Sequence, residues 1–574
     1  MTDQHGEPVR GPDGPGPDGA GFGYRGAQEE LVVLARPEAL PRARPDGVGS
    51  AAGVDVSALA TFLDEEQLAL EPLFGAGEGP RGAAGADLPD LALFHRVRGG
   101  AGRLAELRAR IAALPGIDTA YVKPGAVPAA ALSEEFGQAR RVPGKPAPIP
   151  DLTARQGYLG PAPQGVDAHW ARQRLGGSGE GVTVVDVGGA WQLGHENLAA
   201  RPAGLVVGAP VEDVAWRNHG TAVLGVLGGD RGEHGITGIA PEAARAVASL
   251  HGVGTAAAIH AAAGHLSPGD IVLVGLHRPG PRFDFAARED QRGCVALEWW
   301  PDDFAAIAHA TARGVVVVCA AGNGAESLDD AVYGRRPDAF PSWWHNPFDP
   351  ANRSCGAVLV GAGAPPPGTH GRDHGPDRSR LAFSNHGARL DAQCWGREVT
   401  TTGGSWDRPG DLRGGDEERA WYTDTFSGTS SAAATVAGAL ACLQGMLKAG
   451  GRRPMTSQRA REVLRATGSP QRDAPGRAAA VERIGDRPDL RAAALHVLPS
   501  TVGSGRAERY WDELMPYPPE LPPRIRLFVA GDWRNLTDPS PEIRQAVYAA
   551  FAQGRPDVRV WFSDDEVVGL VVTG

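Results

Sequence analysis

The stretch Phe304-Ala-Ala-Ile307-Ala308-His-Ala-Thr311-Ala312-Arg-Gly-Val315-Val-Val-Val-Cys-Ala-Ala-Gly322-Asn323-Gly324 holds both halves of an α/β repeat. Phe304, Ile307, Ala308 and Ala312 recur at helical period and form an apolar stripe, with Thr311 its one polar member. Val315–Val318 is continuous and β-branched, the composition of a strand buried on both faces. The runs Val182–Val185, Ile271–Val274 and Ala357–Val360 have the same character, and helix-period segments separate them. Strand–helix–strand alternation over residues 151–499 predicts an α/β fold built on a mostly parallel sheet.

Smaller units flank this block. Residues 1–28 are rich in Gly, Pro and Asp and read as a disordered leader. Residues 29–125 read as a small α+β domain, with strands at Leu31–Leu34, Leu91–Phe94 and Ala120–Val122 and a helix presenting Leu104, Leu107 and Ile111. Residues 126–150 read as a linker stiffened by Pro143, Pro146, Pro148 and Pro150, with a dibasic Arg140-Arg141 before the prolines. Residues 500–524 read as a second Pro-rich linker. Residues 525–574 read as a small α/β unit, with strands at Ile525–Ala530, Val558–Phe562 and Val567–Val572. Its helix at Pro541–Phe551 has Ile543, Val547 and Ala550 on one face.

Composition excludes more than it names. At 574 residues the chain has room for about three or four domains. A net charge of −11 without a basic stripe argues against nucleic acid as a partner. No run reaches the ~18 consecutive apolar residues of a membrane span. The N-terminal sequence lacks a basic region followed by an apolar one, which leaves three expectations open: a cytoplasmic protein, export by another route, or a wrongly assigned start. Five cysteines do not make a disulfide scaffold; Cys319 and Cys442 sit in apolar runs as buried residues, and one or two bridges are left open.

The chemistry lies in four short motifs. Ser430, in Phe426-Ser-Gly-Thr-Ser430-Ser-Ala-Ala-Ala, starts a long apolar helix, where backbone N–H groups and the helix dipole favour negative charge. Ser before an apolar run is by itself an ordinary helix cap. A serine nucleophile needs a base, and His219 stands in Asn218-His219-Gly220-Thr221 at the start of another helical run. A base needs a carboxylate to orient it, and Asp186 ends the strand at Val182–Val185. Asn323 follows the strand at Val315 in a Gly-Asn-Gly turn, where its amide can donate to an oxyanion.

Along the chain the four run Asp186, His219, Asn323, Ser430, and in that order they resemble the motifs of subtilisin-like serine peptidases, the subtilase family. Gly238-Ile-Ala-Pro-Glu-Ala243 and Phe383-Ser-Asn-His-Gly387 resemble two further stretches of that family. The resemblance covers residues 150–499 and implies a subtilisin-like three-layer α/β fold. It also implies a serine endopeptidase acting on polypeptides through an Asp186–His219–Ser430 triad, with Asn323 in the oxyanion hole. Gly275, Leu276 and His277 would pair with the substrate main chain, and Ala320, Ala321 and Gly322 would line the specificity pocket. Residues 29–125 are similar in outline to the family's propeptides, which implies a self-inhibited precursor with this domain as an internal partner.

The chain departs from the family at Val187, where a hydroxyl residue usually follows the aspartate, and at His277-Arg278, Ser431 and Ala434. His195 matches a non-catalytic family position and reads as structural. Trp299-Trp300-Pro301-Asp302 reads as a packed helix start with Asp302 near the cap. No cofactor is required. Calcium is common in the family, but no contiguous Asp/Asn-rich loop marks a site, which leaves its binding open. Oligomeric state is not legible. Two other readings stand beside hydrolysis: a non-catalytic binding or regulatory protein on the same scaffold, and a peptide ligase or macrocyclase using the same acyl-enzyme.

Overall fold

The structure, a computed structural model, describes residues 27–39, 41–44, 47–50, 55–75, 88–130, 150–498, 502–513, 522–552, 557–563 and 566–573. The chain divides into two units, Met1–Leu490 and Arg491–Gly574. The expected leader at 1–28 lies outside the described residues except for its last two, as does the linker from 131 to 149.

Seven parallel strands form the central sheet of the first unit. Their order across the sheet is Ala392–Trp395, Val358–Gly363, Val316–Ala320, Ile271–Val274, Thr183–Gly188, Ala244–Ser249 and Gly204–Val207. Strands of this kind read as unbroken apolar runs because helices cover both faces. The 21-residue helix Thr429–Ala449 packs against the sheet and is buried along its apolar length; by length and composition it could cross a membrane, but it is a core helix of this unit. The helix Val214–Gly228 packs beside it, its first turn capped by Asp213, whose carboxylate accepts from the Trp216 N–H at 3.0 Å. All five cysteines are free and buried.

The N-terminal segment adds a four-stranded antiparallel sheet of Ala69–Pro72, Phe94–Arg98, Glu30–Ala35 and Ile117–Lys123. Strand alternation divides its side chains between two cores. Leu31 and Val33 pack with Leu59, Phe62, Leu107 and Ile111 from the helices Ser57–Glu65 and Leu104–Ala112. Val32, Leu34, Phe94 and Tyr121 face the other way and join the core of the large sheet. The strand expected at Leu91–Phe94 starts later. Leu91–Leu93 is a single tight turn, because the Asp90 carboxylate accepts from the Ala92 N–H, and the strand is Phe94–Arg98.

An ionic cluster sits at the end of this sheet. Lys123 is fully buried and meets Asp302, Asp303 Oδ1 at 3.5 Å, Glu30 Oε1 at 3.4 Å and the Thr255 hydroxyl at 3.2 Å. Arg278 reaches Asp303 Oδ2 at 3.3 Å and the Pro124 carbonyl, and Tyr121 donates to Asp302 at 3.0 Å. Asp302 lies in the first turn of Pro301–Ala312, near its cap residue Trp300 as expected, and its carboxylate is held by Lys123 and Tyr121.

The second unit closes a five-stranded barrel in the order Val502–Glu513, Arg524–Val529, Asp532–Thr537, Glu566–Thr573 and Asp557–Ser563, with the helix Pro541–Ala552 packed on it. Residues 502–513, expected as linker, are its longest strand and pair with two neighbours. Only Ala507 is buried among the described side chains of that strand, so its apolar signal is weak, and the prolines begin after it. On the helix, Val547 and Ala550 are buried while Ile543 is exposed.

Removing one member of a buried charge group leaves its partners desolvated and unpaired, which costs about 3–5 kcal/mol. Lys123→Met is expected to destabilise the full chain by that amount in urea unfolding. A change within about 0.5 kcal/mol, as for a surface substitution, would contradict the role given to this cluster.

Candidate active site

Ser430 is the second residue of the helix Thr429–Ala449, whose cap is Gly428 at φ 102, a left-handed conformation that a side chain would strain. The first four N–H groups of a helix have no partner inside it. Here the Thr429 N–H donates to Asn323 Oδ1 at 3.0 Å, and the Ser430 N–H donates to the Ala129 carbonyl at 3.1 Å. Ser430 does not cap its helix; its N–H is given to that carbonyl and its hydroxyl stands beside it at the helix's positive end.

The carbonyl it meets belongs to the chain's own N-terminal segment. Val127–Pro128, which the sequence assigned to a linker, forms a short strand antiparallel to Leu276–Pro279, with Leu276 opposite Pro128 and His277 opposite Val127. The Ala129 N–H continues the ladder to the Gly275 carbonyl at 2.9 Å. Val127 and Ala129 are fully buried. A Cβ at Gly275 would stand 3.3 Å from Ser430 Cβ and 3.4 Å from His219 Cε1, so glycine lets the strand lie between these two side chains.

His219 lies in the second turn of Val214–Gly228, edge-on to Phe426. His219 Nε2 and Ser430 Oγ are both buried without a hydrogen-bond partner. Burial holds the His219 pKa down at about 3, so the imidazole is neutral. Asp186 is the fourth residue of its strand, Thr183–Gly188, and among the described residues no hydrogen bond joins it to His219. Its Oδ2 instead accepts from Trp191 Nε1 at 2.7 Å. The indole is wedged against the histidine helix: a Cβ at Gly220 would lie 2.4 Å from Trp191 Cδ1. Burial raises the Asp186 pKa to about 7, and the Trp191 N–H opposes that rise by stabilising the anion. Where Val187 removes a hydroxyl, Trp191 supplies a donor.

Asn323 closes the site. Its Oδ1 accepts from both N–H and Oγ1 of Thr429, at 3.0 and 2.9 Å, and its Nδ2 donates to Gln291 Oε1 at 3.2 Å. The Asn323 N–H donates to His277 Nδ1 at 3.1 Å, which ties the cleft strand to the Gly-Asn turn. His277 is neutral as well, its pKa lowered to about 3 by burial and then by His219. Ala320, Ala321 and Gly322 are buried behind Asn323. Asn385 Nδ2 donates to the Ala321 carbonyl at 2.7 Å, and Gly322, at φ 99, has no room for a Cβ against that same amide.

The geometry thus brings Ser430, His219, Asn323 and Gly275–His277 around one peptide segment and holds Asp186 against the Trp191 indole. Sequence reasoning missed Trp191, in the loop after the Asp186 strand, and Gln291, in a loop that no quoted motif adjoins. His195 is structural, with Nδ1 accepting from the Asn197 N–H and Nε2 against the Trp421 carbonyl at 2.8 Å. No group of three or more His, Cys, Asp or Glu able to hold a metal ion occurs among the described residues.

Residues 206–485 match the model of the Subtilase family. No curated protein matches the sequence. Among solved structures, the chain is similar to fervidolysin from Fervidobacterium pennivorans, a keratinolytic enzyme related to subtilisin, at 18% identity and a TM-score of 0.47. The match covers 85% of this chain and 63% of fervidolysin. It is also similar to the epidermin leader peptide processing serine protease EpiP from Staphylococcus aureus, at 14% identity and a TM-score of 0.46, over 83% of this chain and 100% of EpiP.

Trp191→Phe removes the donor that stabilises the Asp186 anion, which leaves burial unopposed. The Asp186 titration, followed by carboxyl ¹³C NMR, is expected to move above about 7. A midpoint unchanged or lower would contradict the Trp191 contact.

Proposed function

The chain carries a peptidase domain of the subtilase family, and on that premise we propose that it is a serine endopeptidase, made as a precursor that its own N-terminal domain inhibits. One observation carries this reading. The carbonyl of Ala129, in a strand paired with Leu276–Pro279, accepts from the Ser430 N–H as the carbonyl of a scissile bond does in an oxyanion hole. The bond assigned as the first substrate is Ala129–Ala130.

Ser430 Oγ attacks the Ala129 carbonyl carbon while His219 Nε2 takes the hydroxyl proton. The oxyanion is held by the Ser430 N–H and the Asn323 amide. As the tetrahedral intermediate collapses, the bond to the Ala130 nitrogen breaks and His219 returns the proton to that nitrogen. Water, with His219 again as base, releases Ala129 from Ser430. The neutral state of His219 suits a base, and Asp186 supplies the charge that the imidazolium needs in a buried place. In the occupied cleft His219 Nε2 and Ser430 Oγ are unpartnered, so the pair must draw together for the step, as catalytic hydrogen bonds that tighten on the way to the transition state do. A small residue before the bond and proline ahead of it define the substrate this cleft accepts first.

The non-catalytic reading has one observation in its favour, the Asp186 carboxylate held by Trp191 rather than by His219. Activity separates the two. The purified chain is expected to hydrolyse unfolded casein and to take up a fluorophosphonate probe, and Ser430→Ala to do neither. By comparison with subtilisin, loss of the serine costs on the order of 10⁶ in kcat, and Asn323→Ala, which keeps the serine, roughly 10²–10³. Equal labelling of wild type and Ser430→Ala, or no turnover by wild type, would overturn the proposal.

A further inference from the structure

Gln291 lies in the loop between the cleft strand Leu276–Pro279 and the strand Cys294–Ala296. It is 2% exposed and sits at φ 58, a left-handed conformation that costs a non-glycine residue energy. The turn that holds it there is closed by the Gln291 N–H to the Arg288 carbonyl at 3.0 Å and the Cys294 N–H to the Gln291 carbonyl at 3.1 Å. Strain of this kind persists where the surroundings fix it, and it gathers at sites that act on ligands.

The side chain makes two bonds with two different partners. Its Nε2 donates to the carbonyl of Ala130 at 3.0 Å, and its Oε1 accepts from Asn323 Nδ2 at 3.2 Å. Given the reading of Ala129–Ala130 as the scissile bond, on which this inference rests, Ala130 is the residue after that bond. We propose that Gln291 is a specificity-determining residue that grips the main-chain carbonyl just beyond the scissile bond and, through the same amide, sets the asparagine of the oxyanion hole.

The bond count at Asn323 supports this. Thr429 fills the acceptor side of the Asn323 amide with two donors. An amide nitrogen has two hydrogens; Gln291 takes one, which leaves one for an oxyanion at Ser430. A primary amide that donates at its nitrogen also becomes a better acceptor at its oxygen, since hydrogen bonds in a chain polarise one another. Occupation of the leaving side by a peptide carbonyl therefore tightens the hold on Asn323. A substrate whose leaving group has no such carbonyl forgoes this, so the site favours internal peptide bonds over simple amides and anilides.

The consequence is measurable as a ratio. Wild type, Gln291→Ala and Gln291→Met are compared on an internally quenched peptide cleaved at an Ala–Ala bond and on the p-nitroanilide of the same acyl half. Rates are taken per site titrated by fluorophosphonate. One neutral hydrogen bond corresponds to roughly a 3- to 10-fold effect. Both variants are expected to lose that much kcat/KM on the peptide beyond their loss on the anilide, mostly through KM. A general disturbance of the fold would lower both substrates together.

A measurement on wild type alone covers variants that fail to fold. Its acyl-enzyme is offered alaninamide or isobutylamine, and alaninamide is expected to be the better acceptor by a similar factor. An active wild type with equal acceptors, or folded variants with an unchanged peptide-to-anilide ratio, would overturn the role of Gln291 and leave the peptidase reading intact. A wild type without titratable serine would instead reject the peptidase reading itself.

Discussion

The Ser430 N–H donating to the Ala129 carbonyl is the interaction around which the first unit is organised. It requires a helix that begins at a defined depth in the core, and the burial of Thr429–Ala449 along its length supplies that depth. It requires that the residue before the helix take none of the first N–H groups with its own side chain, and Gly428 has none to do so. It also requires an extended peptide at hydrogen-bonding distance, which the Gly275–Pro279 segment holds by ladder bonds on one side. Asn323, His277 and Gln291 then follow as the polar groups that this arrangement buries, and each finds its partner among the others.

Burial sets the electrostatics in one direction. The same desolvation that lowers His219 and His277 to about 3 raises Asp186 to about 7. All three shifts favour neutral groups while the cleft is filled. The N-terminal segment also carries buried charge, where Lys123 meets Asp302 and Asp303 in a dry contact. The peptide in the cleft is thus held by main-chain bonds and the domain behind it by buried charge. Separating the two would expose both to water.

The parallel strands were legible because a strand covered on both faces needs an unbroken apolar run, as at Val315–Val318. The small α+β domain was legible from the short apolar run at Leu31–Leu34 and from the helical period of Leu104, Leu107 and Ile111. Asp186 and Asn323 could be named as candidates because each adjoins a buried apolar run with a glycine close by, and Ser430 and His219 because each precedes an apolar helical run. Other features depend on contacts far apart in sequence. Nothing local marks Gln291 as the partner of Ala130, 161 positions away, or Lys123 as the counter-ion of Asp302. Trp191 lies five residues from Asp186, yet an indole near a carboxylate carries no period or spacing signal. The strand Val502–Glu513 was hidden for the opposite reason: among its described side chains only Ala507 is buried, and such a strand looks like linker.

The account turns on the chain's own Val127–Ala130 segment being the first peptide that the site cuts. Determining the N-terminal residue of the purified chain after incubation, by Edman degradation or intact mass, tests this directly. The account predicts a new N-terminus at Ala130. A chain that keeps its original N-terminus, or one cut at Arg140-Arg141 and not at Ala130, would contradict it.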